Sequence, residues 1–249
     1  MTKMRADQAL VERGLAESRT RAQAFILAGS VFSGERRIEK AGQPIALDAP
    51  LEVRGRDHPW VSRGGIKLDH GLKHFGWTGE GAVAIDVGSS TGGFTDVLLS
   101  QGALRVYAVD SGTNQLAWKL RDDDRVIVLE QTNARHLTRG DIRENADILG
   151  CDASFISLTN VLETTLEYSR TGTRLVALIK PQFEAGRGEV GKGGVVRDSA
   201  VHERVCTAVA DWLTANGWQV IGITPSPITG PQGNVEFLIG AERLESVAS

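Results

Sequence analysis

A strand that runs through a glycine-rich loop into a helix constrains this 249-residue chain more than any other feature. Residues 83–87 are mostly apolar and partly β-branched, which is typical of a buried parallel strand. Small residues fill positions 88–93, and residues 94–99 resume with helical character. A tight glycine turn lets a ligand approach the backbone, where the first N–H groups of the helix are unpaired. The sequence therefore predicts a ligand site at this loop.

The loop departs from the dinucleotide fingerprint at its middle position. Gly88 and Gly93 fit G-x-G-x-x-G, but Ser90 stands where a pyrophosphate needs a bare backbone. This departure counts against NAD and favours a ligand without a phosphate near the loop, such as S-adenosylmethionine. The candidate cofactor-binding residues are Asp86, Gly88, Ser89, Ser90, Gly92, Gly93, Phe94, Asp110, Asn133 and Asp152.

Two of these candidates follow later strands. Asp110 ends the run 106–109, 24 positions after Asp86, where a carboxylate can accept hydrogen bonds from both ribose hydroxyls. An acidic turn residue without a ligand is the alternative at that position. Asn133 follows the run 126–129, at the carboxyl end of a strand, where groups that contact adenine would lie.

Composition describes an ordinary soluble protein, with 41% hydrophobic and 24% charged residues. No apolar run approaches the roughly 20 residues needed to span a bilayer, and the amino terminus has no signal-peptide core. Cys151 and Cys206 lie far apart and suggest neither a disulfide framework nor a zinc site. We therefore expect a cytoplasmic protein with no metal and no membrane partner.

The first 60 residues carry a modest excess of basic side chains. They hold 10 Lys and Arg against 8 Asp and Glu, whereas residues 61–249 hold 18 against 23. Helices are predicted at 6–11 and at 19–28, the second capped by Ser18, followed by short strands near 31–32, 38, 45–47 and 51–53. Clustered cations can position a protein on phosphates, although a basic surface without a partner is the alternative. The candidate RNA-binding residues are Arg5, Arg19, Arg21, Arg36, Arg37, Lys40, Arg63, Arg187 and Lys192.

This helix–helix–hairpin segment resembles the small RNA-binding domain of the S-four type. The resemblance is carried by RADQALVERGLAESRTRAQAFILAGSVFSGERRIEKAGQPI and covers about 45 residues. Ser33 stands where that family usually has asparagine before the turn glycine, and either residue suits a turn. A charged segment with Gly and Pro, residues 54–59, is predicted to be a linker. We expect two domains, 1–59 and 60–249.

Strands and helices alternate through the second domain. Lys67 is predicted to begin a helix through Phe75, and Asp198 to cap another that ends near Asn216. The apolar runs are residues 83–87, 106–109, 126–129, 148–149, 175–179, 219–223 and 235–239. Such alternation predicts a doubly wound parallel α/β sheet, and a closing pair with no helix between its strands predicts one antiparallel strand. This is the Rossmann-like, mostly parallel seven-stranded architecture of class I S-adenosylmethionine-dependent methyltransferases.

Four charged residues fall where the carboxyl ends of these strands meet. They are Lys67, Asp152, Lys180 and Glu236. Each alone has an ordinary explanation, because lysines are usually solvated and carboxylates at strand ends usually cap helices. Together, two lysines and two acids can hold one another ionised.

Methyl transfer to a ribose hydroxyl suits that set. The enzyme must place the 2′-OH in line with the methyl group and ease the loss of its proton. Lys180 is the candidate proton acceptor, while Lys67 and Glu236 orient the hydroxyl and Asp152 tunes Lys180 beside the methyl donor.

The four residues, in the contexts DVGSSTGGFTD, CDASFISL, LIKPQFE and GNVEFL, resemble the FtsJ-like ribose 2′-O-methyltransferases. With VSRGGIKL and the amino-terminal segment, residues 3–240 resemble the TlyA family. That resemblance implies a cytoplasmic enzyme that uses S-adenosylmethionine to methylate cytidine 2′-OH groups in ribosomal RNA of one or both subunits. Ribosomal RNA and ribosomal subunits are the implied partners. The family also carries a historical haemolysin label.

Several rival interpretations remain. Asp152-Ala153-Ser154-Phe155 lacks the prolines expected of an exocyclic amino-group methylase, and Cys151 is interpreted as a small core residue rather than the thiol nucleophile of a C5 enzyme. A membrane-active haemolysin would need a spanning or strongly amphipathic segment. A non-catalytic ribosome assembly factor is a further alternative. Residues 186–197 are predicted to form a mobile flap that contacts RNA through Arg187, Lys192 and Arg197, with a surface loop without function as the other possibility.

Overall fold

The structure, a computed structural model, describes residues 3–27, 29–54, 58–186 and 188–245. Its helices are α1 (Ala6–Glu12), α2 (Arg19–Leu27), α3 (Gly64–Phe75), α4 (Gly93–Ser100), α5 (Trp118–Arg121), α6 (Leu158–Thr165), α7 (Pro181–Glu184) and α8 (Ser199–Ala215). Its strands are β1 (Lys3–Arg5), β2 (Val31–Ser33), β3 (Arg36–Arg37), β4 (Pro44–Ala46), β5 (Glu52–Val53), β6 (Val83–Val87), β7 (Arg105–Val109), β8 (Val126–Leu129), β9 (Ala146–Cys151), β10 (Ser169–Ile179), β11 (Trp218–Pro225) and β12 (Phe237–Arg243).

A seven-stranded sheet dominates the described residues, in the order β11-β12-β10-β9-β6-β7-β8. Strand β12 is antiparallel to both of its neighbours, and the other pairs are parallel. Helices α3, α4 and α5 supply one apolar layer, and α6 and α8 supply the other. The predicted mostly parallel seven-stranded α/β fold with one antiparallel strand is confirmed.

The turn after β6 brings the glycine loop against the end of β9. Gly88 has φ +77°, and a Cβ atom there would lie 2.9 Å from the backbone N of Ala153. A side chain at this position would therefore force the two strand ends apart. Asp86 holds the other side of the turn, because its Oδ2 accepts hydrogen bonds from the backbone N (3.0 Å) and Oγ1 (2.7 Å) of Thr95 in α4.

A smaller unit precedes the large sheet and has an apolar cluster of its own. Strands β1 and β4 pair, and β3-β2-β5 form a three-stranded sheet. Its largest buried side chains include Leu10 and Ile38, and Ser18 Oγ accepts a hydrogen bond from the backbone N of Arg21, as a helix cap does. Trp60 and Val61 instead pack with the large sheet. The division of the chain after residue 59 stays a prediction, because residues 55–57 of the predicted linker lie outside the described residues, as does Ala28.

Two predicted boundaries beside the site are wrong. Helix α3 begins at Gly64, not at Lys67, and β12 begins at Phe237, not at Val235, so Glu236 precedes the strand. Glycine is a poor helix former, which is why residues 64–65 did not look helical. Here close packing requires a glycine, since a Cβ atom at Gly65 would lie 2.3 Å from Cγ of Trp60.

Candidate functional site

The four predicted catalytic residues meet at one rim of the sheet. Lys67 lies in the first turns of α3, Asp152 follows β9, Lys180 follows β10, and Glu236 precedes β12. Strand β12 runs opposite to its neighbours, so its start lies beside the carboxyl ends of the parallel strands. All four line a cavity of about 600 Å³ with the glycine loop.

Their charged atoms form a chain of alternating sign. Lys180 Nζ lies 2.6 Å from Asp152 Oδ1, and Lys67 Nζ lies 3.5 Å from Asp152 Oδ2. Lys67 Nζ also donates to Glu236 Oε2 at 2.7 Å. Asp152 therefore joins the two lysines, and the set as a whole is close to electrically neutral.

Burial makes this arrangement sensitive to the loss of any partner. Glu236 is 1% exposed, and Lys67 and Lys180 are 8% and 6% exposed. Burial alone would lower the pKa of Lys67, but attraction from Asp152 and Glu236 outweighs it, so that the pKa of Lys67 is raised. Lys67 therefore remains an ammonium ion and cannot act as a base.

Two buried carboxylate oxygens have no hydrogen-bond donor among the described residues. They are Asp86 Oδ1 and Glu236 Oε1. Burial raises the pKa of Asp86 to about 7, although the two hydrogen bonds from Thr95 oppose the rise. A Cβ atom at Gly230 would lie 2.1 Å from Glu236 Oε1, so a bare backbone is needed there. Both orphaned oxygens belong to residues of the cavity wall, where a ligand can supply the missing donors.

The glycine loop divides into lining and packing residues. Gly88, Ser89, Ser90, Gly93 and Phe94 line the cavity. Phe94 is also buried in the core. Its ring packs on Gly150, where a Cβ atom would lie 3.0 Å from Cδ2 of the ring.

The remaining loop glycine serves packing. Gly92 has φ +97°, and a Cβ atom on it would lie 2.2 Å from Leu120 Cδ1. This glycine therefore allows a left-handed turn and close contact with α5.

A second cavity of about 540 Å³ lies beside the first and contains Asp110 and Asn133. Asp110 accepts one hydrogen bond on each carboxylate oxygen, from the backbone N of Ser90 (2.8 Å) and of Gly112 (2.7 Å). Asn133 Oδ1 accepts from the backbone N of Arg135 at 3.1 Å. The two cavities share the wall residues Gly88, Ser90, Asp152 and Ser154.

The predicted RNA-binding residues have varied surroundings. Arg5 and Arg19 each lie 3.0 Å from the buried carboxylate of Asp7. The bond from Arg5, together with Gln23 and Arg19, outweighs the effect of burial and holds the pKa of Asp7 well below its usual range. Both arginines thus stabilise the small unit, and about half of each side chain stays exposed.

The other predicted RNA contacts are exposed or lie outside the described residues. The guanidinium of Arg21 lies 4.7 Å from the ring centroid of Phe25. Arg63 lines the first cavity. Arg36, Arg37, Lys40 and Lys192 are exposed, and Arg187 lies outside the part of the chain that the structure describes.

The loop that holds Lys192 is tied to the molecule at several points. Gly191 and Val195 form a bridge, and Val196 is buried and donates its backbone N–H to Asn234 Oδ1 at 3.2 Å. Glu189 pairs with Arg204 of α8 at 2.6 Å. The glycines therefore form an anchored turn, and contact of this loop with RNA stays a prediction.

Four residues of the cavity walls that were not predicted as site residues lie next to the charged group or the glycine loop. Phe155 is 90% exposed and has φ +65°, which is unusual for a bulky residue. Its ring centroid lies 5.2 Å from that of Phe183. Glu17 and Ser18, from the small unit, line the first cavity, and Ser154 lines both cavities. Only the position of Ser154 and Phe155 next to Asp152 could have drawn attention to them in the sequence.

Cys151 is fully buried at the end of β9, and burial raises the pKa of its thiol to about 12. A thiol that holds its proton so strongly does not provide a thiolate near neutral pH. The interpretation of Cys151 as a core residue is confirmed.

Comparisons with known proteins identify relatives along most of the chain. The FtsJ-like methyltransferase family profile matches residues 60–243. The chain is 49% identical over 238 residues to YqxC of Bacillus subtilis, provisionally named an rRNA methyltransferase (95% of this chain, 85% of YqxC). It is 44% identical over 236 residues to TlyA of Mycobacterium tuberculosis H37Rv, named a 16S/23S rRNA (cytidine-2′-O)-methyltransferase (94% of this chain, 88% of TlyA).

A solved structure from Streptococcus thermophilus, provisionally named a haemolysin, has a TM-score of 0.77 and 43% sequence identity. The match covers 99% of this chain and 90% of that one. Within the described residues, no helix combines the length and the apolar character needed to cross a bilayer. Because the family profile covers most of the chain and the relatives match nearly its full length, the chain belongs to the FtsJ-like methyltransferase family.

Proposed function

We propose that this protein transfers a methyl group from S-adenosylmethionine to the 2′-OH of cytidine in ribosomal RNA, of the 16S type, the 23S type or both. The chain Lys180–Asp152–Lys67–Glu236 beside the glycine-loop cavity carries this proposal. The name of the Mycobacterium tuberculosis relative, 44% identical over 94% of this chain, supports the choice of RNA class and nucleotide.

The residues present fit S-adenosylmethionine. The orphaned Asp86 Oδ1 is a buried acceptor at the glycine loop and suits the ammonium group of the methionine moiety. Each Asp110 oxygen accepts a single N–H bond and keeps a lone pair for a ribose hydroxyl. Ile156 and Val161, which line the second cavity with Asn133, provide an apolar wall for adenine.

The four charged residues have different roles in removing the proton of the ribose hydroxyl. When bound, the sulfonium supplies an electrophilic methyl group to the ribose oxygen. Lys180, as the neutral amine, accepts the hydroxyl proton while the new carbon–oxygen bond forms. Lys67 stays charged because of Asp152 and Glu236, and it stabilises the negative charge that develops on the ribose oxygen. Asp152 then balances the ammonium ion formed on Lys180.

Phe155 offers a surface for the base of the target nucleotide. An exposed aromatic ring gives a base a stacking partner, which is worth about 1–3 kcal/mol. The ring follows Asp152 by three positions, and it lines the second cavity. We place the cytosine ring on the exposed face of Phe155, next to the cavity proposed for adenine, with its ribose toward Lys180.

We further propose that residues 1–59 form an RNA-binding domain of the S-four type. Arg36, Arg37 and Lys40 are exposed on its surface and are available to phosphates. Glu17 and Ser18 of this unit line the first cavity, so RNA held by the unit would lie next to the charged residues.

Loss of the amine of Lys180 should remove activity. We expect Lys180→Ala to reduce transfer of label from S-adenosylmethionine to unmodified ribosomal subunits by at least about 100-fold, because the proton acceptor is lost. Lys73→Ala is the matched control, since Lys73 is exposed on α3 and forms an ion pair there with Asp69, away from the cavity. We expect the control to label RNA within about twofold of the wild type. Equal labelling by Lys180→Ala and the wild type would contradict the role given to Lys180.

A further inference from the structure

We infer that Ser154 is a positioning residue that holds the amine of Lys180 in both of its protonation states. The inference rests on the proposed methyl transfer and adds a fifth residue to the four charged ones. Ser154 Oγ lies 2.9 Å from Lys180 Nζ, within hydrogen-bond distance.

The surroundings of Lys180 Nζ give Ser154 a distinct place. The ammonium ion can donate three hydrogen bonds. Two acceptors belong to one residue, Asp152, through Oδ1 at 2.6 Å and the backbone O at 3.3 Å. Ser154 Oγ is the third, so it completes the hydrogen bonds of Nζ with the one acceptor that does not belong to Asp152.

The neutral amine of Lys180 must keep its lone pair free for the ribose proton. This amine still has two N–H donors. Asp152 and Ser154 can accept these two bonds, which leaves the lone pair directed away from both. Ser154 can therefore keep contact with Nζ before and after the proton moves.

The loop that contains Ser154 is hydrogen-bonded to α7, the helix that follows Lys180. Phe155, next in the chain, has the left-handed φ of +65°. At the end of the loop, Glu184 accepts hydrogen bonds from Ser157 Oγ (2.7 Å) and the backbone N of Leu158 (2.6 Å). Glu184 ends α7, the helix that begins directly after Lys180. The serine and the lysine are thus fixed relative to each other by one short helix.

Ser154 also lies on the wall that the two cavities share, next to the proposed proton acceptor. It is one of four residues that line both cavities, and Asp152 is another. A residue on this shared wall lies between the cavity proposed for adenosine and the rim where the ribose hydroxyl would enter.

The test compares Ser154→Ala and Ser154→Thr with the wild type in single-turnover methylation of ribosomal subunits across pH. We expect Ser154→Ala to lower the rate constant about tenfold, because a charge-assisted bond that orients the amine is lost. The acid limb of the pH–rate profile should move to lower pH, since the bond lost by the ammonium ion is charge-assisted and stronger than the bond lost by the neutral amine. Ser154→Thr keeps the hydroxyl and should stay within about threefold of the wild type.

Ser169→Ala is the matched control, because its hydroxyl donates to the backbone O of Leu166 (2.6 Å) at the opposite end of β10. Its profile should coincide with that of the wild type. A Ser154→Ala rate within twofold of the wild type, or a lower rate with an unmoved acid limb, would overturn the inference. Absence of methylation by the wild type would contradict the proposed function instead, so the two failures are distinguishable.

Discussion

Asp152 occupies the centre of the site because its two carboxylate oxygens face different lysines. Oδ1 lies 2.6 Å from Lys180 and Oδ2 lies 3.5 Å from Lys67. Removing one member of a buried ion pair leaves its partner without compensation, at a cost of about 3–5 kcal/mol. Variants of Asp152 would therefore combine loss of stability with loss of chemistry. Lys180→Ala leaves Asp152 beside Lys67, and Ser154→Ala removes no charge, so these two positions give the cleaner tests.

Asp86 should make the stability of the protein depend on pH. Its pKa is about 7 in the folded chain, against 3.8 for an unperturbed aspartate. Between these values the folded state holds a proton that the unfolded state has lost, so the free energy of unfolding falls as pH rises from about 4 to about 7. Asp86→Asn stays neutral throughout and removes this contribution.

Between pH 4.5 and pH 7.5, the wild type should lose a few kcal/mol of its free energy of unfolding that Asp86→Asn does not lose. Urea unfolding of both proteins at the two pH values measures this difference. The other titrating groups are shared, so they cancel in the comparison. Asp69→Asn is the control, since Asp69 lies on α3 and pairs with exposed Lys73. A difference between Asp86→Asn and the wild type that is the same at both pH values would contradict the burial effect.

At the scale of elements, the site depends on close contact between the first residues of α3 and those of α4. A Cβ atom on Gly93, the first residue of α4, would lie 2.7 Å from the backbone N of Gly65 in α3. Gly65 also lies against the side chain of Trp60. The helix that carries Lys67 is therefore placed by close backbone contacts.

Gly65→Ala should disturb this placement. Its Cβ atom would lie 2.3 Å from Cγ of Trp60, which is not the flexible end of a side chain. We expect a loss of about 1–3 kcal/mol in the free energy of unfolding, with weaker binding of S-adenosylmethionine in calorimetry. Gly188→Ala is the control, because a Cβ atom there meets nothing within 4 Å. Unchanged stability and binding for Gly65→Ala would contradict this account of α3.

The sequence predicted those elements whose cause is local. Strand β6, the glycine turn and α4 follow from an apolar run, small residues and helix formers in order. The convergence of Asp152 and Lys180 follows from one rule, that parallel strands end at the same edge. The start of α3 at Gly64 and the left-handed backbone of Phe155 could not be predicted, because packing against distant residues and the path of a loop decide them.

At the scale of the whole molecule, the small unit and the large sheet meet at the site. Glu17 Oε1 accepts a hydrogen bond from the backbone N of Arg63 at 3.1 Å, at the start of α3. Asp96 of α4 accepts from the backbone N of Val61 at 2.8 Å and from Lys119. Basic clusters indicated contact with phosphates, but the sequence held no sign that Glu17 would line the cavity. Such contacts join residues more than 20 positions apart, which local patterns do not encode.

The central claim is that the methyl group goes to a ribose oxygen, and alkaline cleavage tests it most directly. Purified protein would be incubated with labelled S-adenosylmethionine and unmodified ribosomal subunits, and the RNA would then be cleaved with alkali. Cleavage needs a free 2′-OH, so we predict a resistant linkage, in the RNA of at least one subunit, after a cytidine that carries the label. Label in RNA that is cleaved at every position would place the methyl group on a base and contradict the account. Absence of label in either subunit, while the methyl donor still binds, would favour an assembly factor without catalysis.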